Sequence, residues 1–141
     1  MATKDNHFAA TIDEWVSQSQ ARTEAVFKDA VTTLIEDAQR PVAKGGRMRV
    51  DTGFLRASGQ VSLNNMPSGP VRGEPGQVYT ADTAPIVLEI ARAKPGDTIF
   101  FGWSANYARV REYHDAFLRT AVQRWQQIVD ASVAKAKQRI R

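Results

Sequence analysis

The stretch Ile86-Val87-Leu88-Glu89-Ile90-Ala91-Arg92-Ala93-Lys94-Pro95-Gly96-Asp97-Thr98-Ile99-Phe100-Phe101-Gly102-Trp103 sets the size of any sheet this chain builds. Its second half is rich in aromatic and β-branched residues and reads as a strand over 98–103. Its first half fits a helix or a strand, and its β-branched content favours a strand over 86–91. Pro95-Gly96-Asp97 supplies turn chemistry between them, so the pair is expected to form a hairpin. Upstream, Gln60-Val61-Ser62-Leu63-Asn64 alternates and reads as a strand. Residues 77–80 are a further candidate. The expected sheet is antiparallel, with about three to four strands.

Helical patterns flank these strands. Apolar residues at Ile12, Trp15, Val16, Val26, Phe27, Ala30, Val31, Leu34, Ile35 and Ala38 predict a helix over about 12–39. Thr11 and Glu14 have the spacing of a capping box, and residues 1–11 are read as a flexible lead-in. Ser17-Gln18-Ser19-Gln20 is polar, so the first turns are expected to project. Arg40-Pro41 ends the helix, because a residue before proline avoids the α region. A short helix through Tyr107, Val110 and Tyr113 is expected, capped by Ser104 or Asn106. The last helix is expected over 115–139, with Phe117, Leu118, Ala121, Val122, Trp125, Ile128, Val129 and Val133 as its stripe. Helix, strands, helix indicates an α+β fold with two long helices on the sheet. Between the strands, residues 65–76 hold three prolines and three glycines in twelve positions, a long loop or arm.

At 141 residues the chain suits a single domain, 1–141. It has no cysteine, which excludes disulfides, thiolate metal sites and a cysteine nucleophile. It has no apolar run long enough for a membrane span, so no membrane partner is expected. The net charge of +4 is zoned. Residues 1–39 sum to −4, 40–56 to +4, 57–114 to zero and 115–141 to +4. Such zoning suits docking between oppositely charged surfaces or contact with nucleic acid. Lys44, Arg47 and Arg49 in the glycine-containing loop and Lys135, Lys137 and Arg139 at the chain end are the candidate contacts. Helix-dipole compensation is the structural account of the basic end. Trp15, on an otherwise polar part of its helix, is a candidate subunit anchor.

The catalytic inventory is thin. His7 and His114 are the only histidines, and His114 is read at a helix start. No metal-ligand spacing, phosphate loop, paired serine and base, or carboxylate pair is present. No enzyme activity and no cofactor are expected.

Three segments carry a family resemblance. Thr52-Gly53-Phe54-Leu55-Arg56-Ala57-Ser58 resembles the Thr-Gly-x-Leu-Arg-x-Ser signature of small neck and tail-component proteins of tailed bacteriophages. Tyr107-Ala108-Arg109-Val110-Arg111-Glu112-Tyr113 is similar to that family's Tyr-Ala-x-x-Val-Glu-Tyr segment, with an added Arg111 before Glu112. Phe117-Leu118-Arg119-Thr120-Ala121 resembles the opening of its last helix. Only His114-Asp115-Ala116 separate the last two, and the flanking prolines are absent. The resemblance implies a structural virion protein at the head–tail junction: a neck, tail-completion or tail-terminator subunit. It implies a homo-oligomeric ring, hexamer or dodecamer, between neighbouring neck and tail proteins, with transient contact to passing double-stranded DNA. Assembly into the virion in the bacterial host cytoplasm follows from it. As fold elements, Gly53 serves the turn, Leu55 the core and Arg56 an ion pair. A small basic nucleic-acid-binding protein is the alternative.

Overall fold

The computed structural model describes residues 2–139, with side chains described from His7 to Arg139. Met1, Ile140 and the Arg141 end of the basic tail lie outside the described residues. The chain runs α1 (Ala2–Gln39), a 3-10 turn (Val42–Lys44), α2 (Phe54–Ala57), β1 (Gly59–Leu63) and α3 (Ala84–Ala91). Then follow β2 (Ile99–Trp103), α4 (Ala108–Asp115), α5 (Phe117–Gln123) and α6 (Trp125–Arg139). The fold mixes helix and sheet. Among the described residues the sheet has two strands, not three or four. β1 pairs antiparallel with β2, with Val61 opposite Phe101 and Leu63 opposite Ile99.

Residues 86–91, expected as a strand, belong to helix α3. Asp82 Oδ1 accepts the Ala84 N–H at 3.0 Å, and Pro85 sits in the first turn, where its missing N–H costs nothing. Ile86 and Ile90, one turn apart, are buried against Val31 and Ile35 of α1 and against Val61 and Ile99 of the strands. The turn at Pro95-Gly96-Asp97 exists, with Gly96 at φ 92°, but it joins a helix to a strand. Asp97 fixes it by accepting the Lys94 N–H at 2.7 Å. Asn64, itself at positive φ, closes the other side by exchanging backbone and side-chain bonds with Thr98. Residues 77–80 form no strand: Val78 is exposed, and Tyr79 gives a single backbone bond to Thr52 O at 2.7 Å.

α1 starts at Ala2, so residues 2–10 continue the helix where a flexible lead-in was expected. Thr11 is not a cap; its hydroxyl donates to His7 O within the helix. From Ala30 to Ala38 one face of α1 is buried, at Ala30, Val31, Leu34, Ile35 and Ala38. Against it lie Ala121 of α5 and Ile128 of α6. α6 runs antiparallel to α1: Arg124 donates to Asp37 at 2.9 Å and Ser132 to Asp29 at 2.8 Å.

The single C-terminal helix expected over 115–139 is three pieces. Ala116, at φ 52°, breaks α4 from α5, and a second break at Arg124 separates α5 from α6. His114 therefore closes a helix and does not open one. α4 begins after Tyr107 with no side-chain cap from Ser104 or Asn106. Among the described residues no helix is long and apolar enough to cross a membrane.

Candidate functional site

The three signature segments meet in space. Leu55, Met48, Ala105 and Phe117 form one buried cluster, with Ala108 and Leu118 packed on it. Gly53 is at φ 84°, and a side chain there would collide with the carbonyl of Tyr79. Thr52 Oγ1 accepts the Phe54 N–H at 3.3 Å, opening the short helix. Among the described residues Arg56 makes no ion pair. Its Nε donates to Gln39 O at 3.2 Å and satisfies a carbonyl left open at the end of α1. Ser58 Oγ donates to Leu55 O at 2.7 Å, closing α2.

Glu112 has the clearest local task. Its two carboxylate oxygens accept the N–H groups of Leu118 at 2.8 Å and Arg119 at 3.0 Å. Two orphan donors at the start of α5 are thus satisfied by a negative charge, where the helix dipole favours one. Arg119 Nε lies 3.3 Å from the same carboxylate. Tyr107 sits beside Phe54, whose ring also meets Tyr79 at 4.9 Å. Tyr113, by contrast, is 77% exposed.

The long loop is tied down. Val71 donates to Ser104 O at 2.6 Å, Asn106 donates to Val71 O at 2.8 Å, and Tyr79 Oη accepts the Glu74 N–H at 2.9 Å. Residues 65–76 are a loop, but one strapped across the body by backbone bonds.

The charge zones are partly spent inside the chain. Lys135 reaches Asp29 at 3.1 Å, and Arg124 reaches Asp37. Burial disfavours the Asp29 charge, but hydrogen bonds from Ser132 and Lys135, with the charges of Lys135 and Arg139, outweigh it and hold the carboxyl below its ordinary value. Arg49 lies 3.5 Å from the nearly buried Asp115, and Arg111 lies 3.7 Å from it. Lys44, Arg47, Lys137 and Arg139 remain exposed. Lys137 lines a groove with Arg22 near the middle of α1, whereas Lys44 and Arg47 follow its C-terminal end. At 1.5 Å per residue these two basic groups stand roughly 25 Å apart along α1, and the cations between them, Arg40, Arg124 and Lys135, are paired with Asp37 and Asp29.

Two of the exposed apolar surfaces stand at opposite ends of α1. Every described side chain from His7 to Gln18 is exposed, including Phe8 at 66% and Trp15 at 65%. With Ile12 and Val16 they recur at one helix face. The second surface is a groove of about 820 Å³ between residues 41–51 and α4. Pro41, Val42, Val50 and Tyr107 wall it, and Arg49, Arg111 and Asp51 line its polar part. The basic loop beneath it is closed by Val42 donating to Met48 O at 3.1 Å and by Gly46, whose backbone leaves no room for a side chain beside Arg40 O. Trp15 was legible in the sequence; the groove was not, since its walls come from residues some 60 positions apart. Among the described residues, no three His, Cys, Asp or Glu side chains are grouped to hold a metal ion.

No protein-family model matches the chain, nor does any curated protein or solved structure.

Proposed function

We propose that the chain is a non-enzymatic structural subunit of a tailed-bacteriophage neck or tail, assembling into a ring around the DNA channel. The observation that carries the reading is the exposed apolar stripe Phe8, Ile12, Trp15 and Val16 on a helix that is built into the core only from Ala30 onward. Large side chains in such a row, with no partner in their own chain, are the mark of a contact surface for another chain. The resemblance in the three signature segments supports the same reading, and Leu55, Ala108, Phe117 and Leu118, one or more from each segment, pack together. Ring subunits need complementary surfaces of different kinds and no pocket for chemistry.

The test is the particle itself. Cryo-electron microscopy of intact virions is expected to place copies of the chain in a ring at the head–tail junction. Loss of the chain is expected to leave heads and tails unjoined. Particles lacking the protein altogether, while joined and infectious, would overturn the reading. The nucleic-acid-binding alternative predicts DNA binding by the isolated chain that falls steeply with salt.

A further inference from the structure

α1 is one uninterrupted helix from Ala2 to Gln39, and the groove between residues 41–51 and α4 begins two residues beyond its end. Trp15 stands about 36 Å along the helix from Gln39, at 1.5 Å per residue. A continuous helix cannot fold back on its own end, so the stripe of one copy reaches this groove only on another copy.

We propose that the projecting part of α1 docks, apolar face first, into the groove between residues 41–51 and α4 of a neighbouring copy. Chemistry matches on both sides. The stripe offers Phe8, Ile12, Trp15 and Val16; the groove offers Val42, Val50 and Tyr107, each partly exposed. Charge matches as well. Asp13 and Glu14 adjoin the stripe on α1, and among the described residues neither is held by a cation. Lys44 and Arg47 are exposed in the loop that forms one wall of the groove, in the segment that sums to +4. A second groove, about 450 Å³ at the root of the projecting part between Val16, Phe27 and Pro95, carries Glu24 and Asp97 against Lys28 and Lys94, and so offers an acidic helix no net attraction. A third, beside Arg22 and Lys137, is basic, but its walls are Val26, Val133 and Ala136, with no aromatic ring to meet Phe8 and Trp15.

The contact uses a different surface on each partner. It is therefore head-to-tail and repeats from copy to copy, closing into a ring or running on as a filament. The inference names the contact between subunits and rests on the ring reading above only for its closure.

The chain has no cysteine, so an introduced pair is the only route to a disulfide. Trp15→Cys together with Val42→Cys in one full-length chain is expected to give, on mild oxidation, a ladder of dimers, trimers and higher products. Mixing the two single variants is expected to give a heterodimer and nothing larger, since each carries one half of the contact. Circular dichroism and the melting transition of each variant establish that it is folded. Adding Asp13→Lys and Glu14→Lys is expected to slow ladder formation about tenfold, and Lys44→Glu with Arg47→Glu to restore it. Dimers from Trp15→Cys alone, formed as readily as products of the pair, would assign the stripe to another copy's stripe and overturn the groove. No product above monomer from the folded double variant would overturn it too. A ladder from a chain that is missing from virion necks leaves the contact standing and removes the neck reading instead.

Discussion

From Ala30 to Gln39, α1 has a buried face that meets α3, α5, α6 and the strands; from His7 to Gln18 the same helix buries nothing. The backbone is alike in both parts, and so is the density of apolar residues. What differs is the partner. The inner part finds Ala121, Ile128, Ile86 and Ile90 in its own chain, while Phe8, Ile12 and Trp15 find none among the described residues. Isolated helices of such length are marginal in water, and packing of an apolar face supplies most helical stability in proteins. One part of α1 therefore stabilises the fold, and the other leaves its apolar surface for something outside.

The comparison breaks first at the core. Phe117→Ala, which empties the centre of the signature cluster, is expected to cost about 3–5 kcal/mol in chemical denaturation. A loss below about 1 kcal/mol would mean that the three segments do not share a core. Glu112→Ala removes both N–H acceptors at the start of α5 and is expected to cost about 1–2 kcal/mol. Equal destabilisation by Glu112→Gln would show that the carboxylate charge matters as much as its geometry.

Acid tests the junction between the two parts of α1. The Asp29 carboxyl is held below its ordinary value in the folded chain. Its contribution is therefore present above the unfolded value of about 4 and is lost as pH falls through the lowered folded value. Asp29→Asn is expected to flatten that part of the stability profile and leave the neutral-to-alkaline side parallel to wild type. A steeper acid loss in the variant would contradict the Ser132 and Lys135 contacts. The smallest effect belongs to the outer helix: Phe8→Ala and Trp15→Ala are each expected to change the stability of the dilute chain by less than about 0.5 kcal/mol. A loss of 2 kcal/mol from either would place that side chain in the core of its own chain.

Much of this was readable from residue types. Pro41 stops α1 at Gln39, the polar run Ser17-Gln18-Ser19-Gln20 announces a part that projects, and β1 and β2 follow from their alternating and aromatic residues. α3 is masked in the sequence because Ile86, Val87 and Ile90 favour strands by type. Yet Pro85 in a first turn and the spacing Ile86, Ile90, Ala93 are helical signals, and burial against α1 makes them prevail. The start of α1 was set late because Thr11 and Glu14 match a cap, whereas Thr11 bonds inside an existing turn. The Glu112 cap was hidden: it serves N–H groups six and seven residues on, across the left-handed Ala116, a spacing outside the usual capping patterns. The straps on the 65–76 loop were hidden for another reason, since most of them join backbone atoms that carry no residue signature.

The unbroken path of α1 has a mechanical consequence. A helix of 38 residues spans about 57 Å, and its last third is clamped between α3 and α6. It is a rigid spar with its footing in the core, braced at the edge of that footing by Lys28, which donates to Ala91 O, and by the Asp29 contacts to Ser132 and Lys135. Any load on Phe8 or Trp15 is thus delivered as a tilt against α6, with no intervening loop to absorb it. The angle at which the spar leaves the body fixes the direction in which the next body must lie.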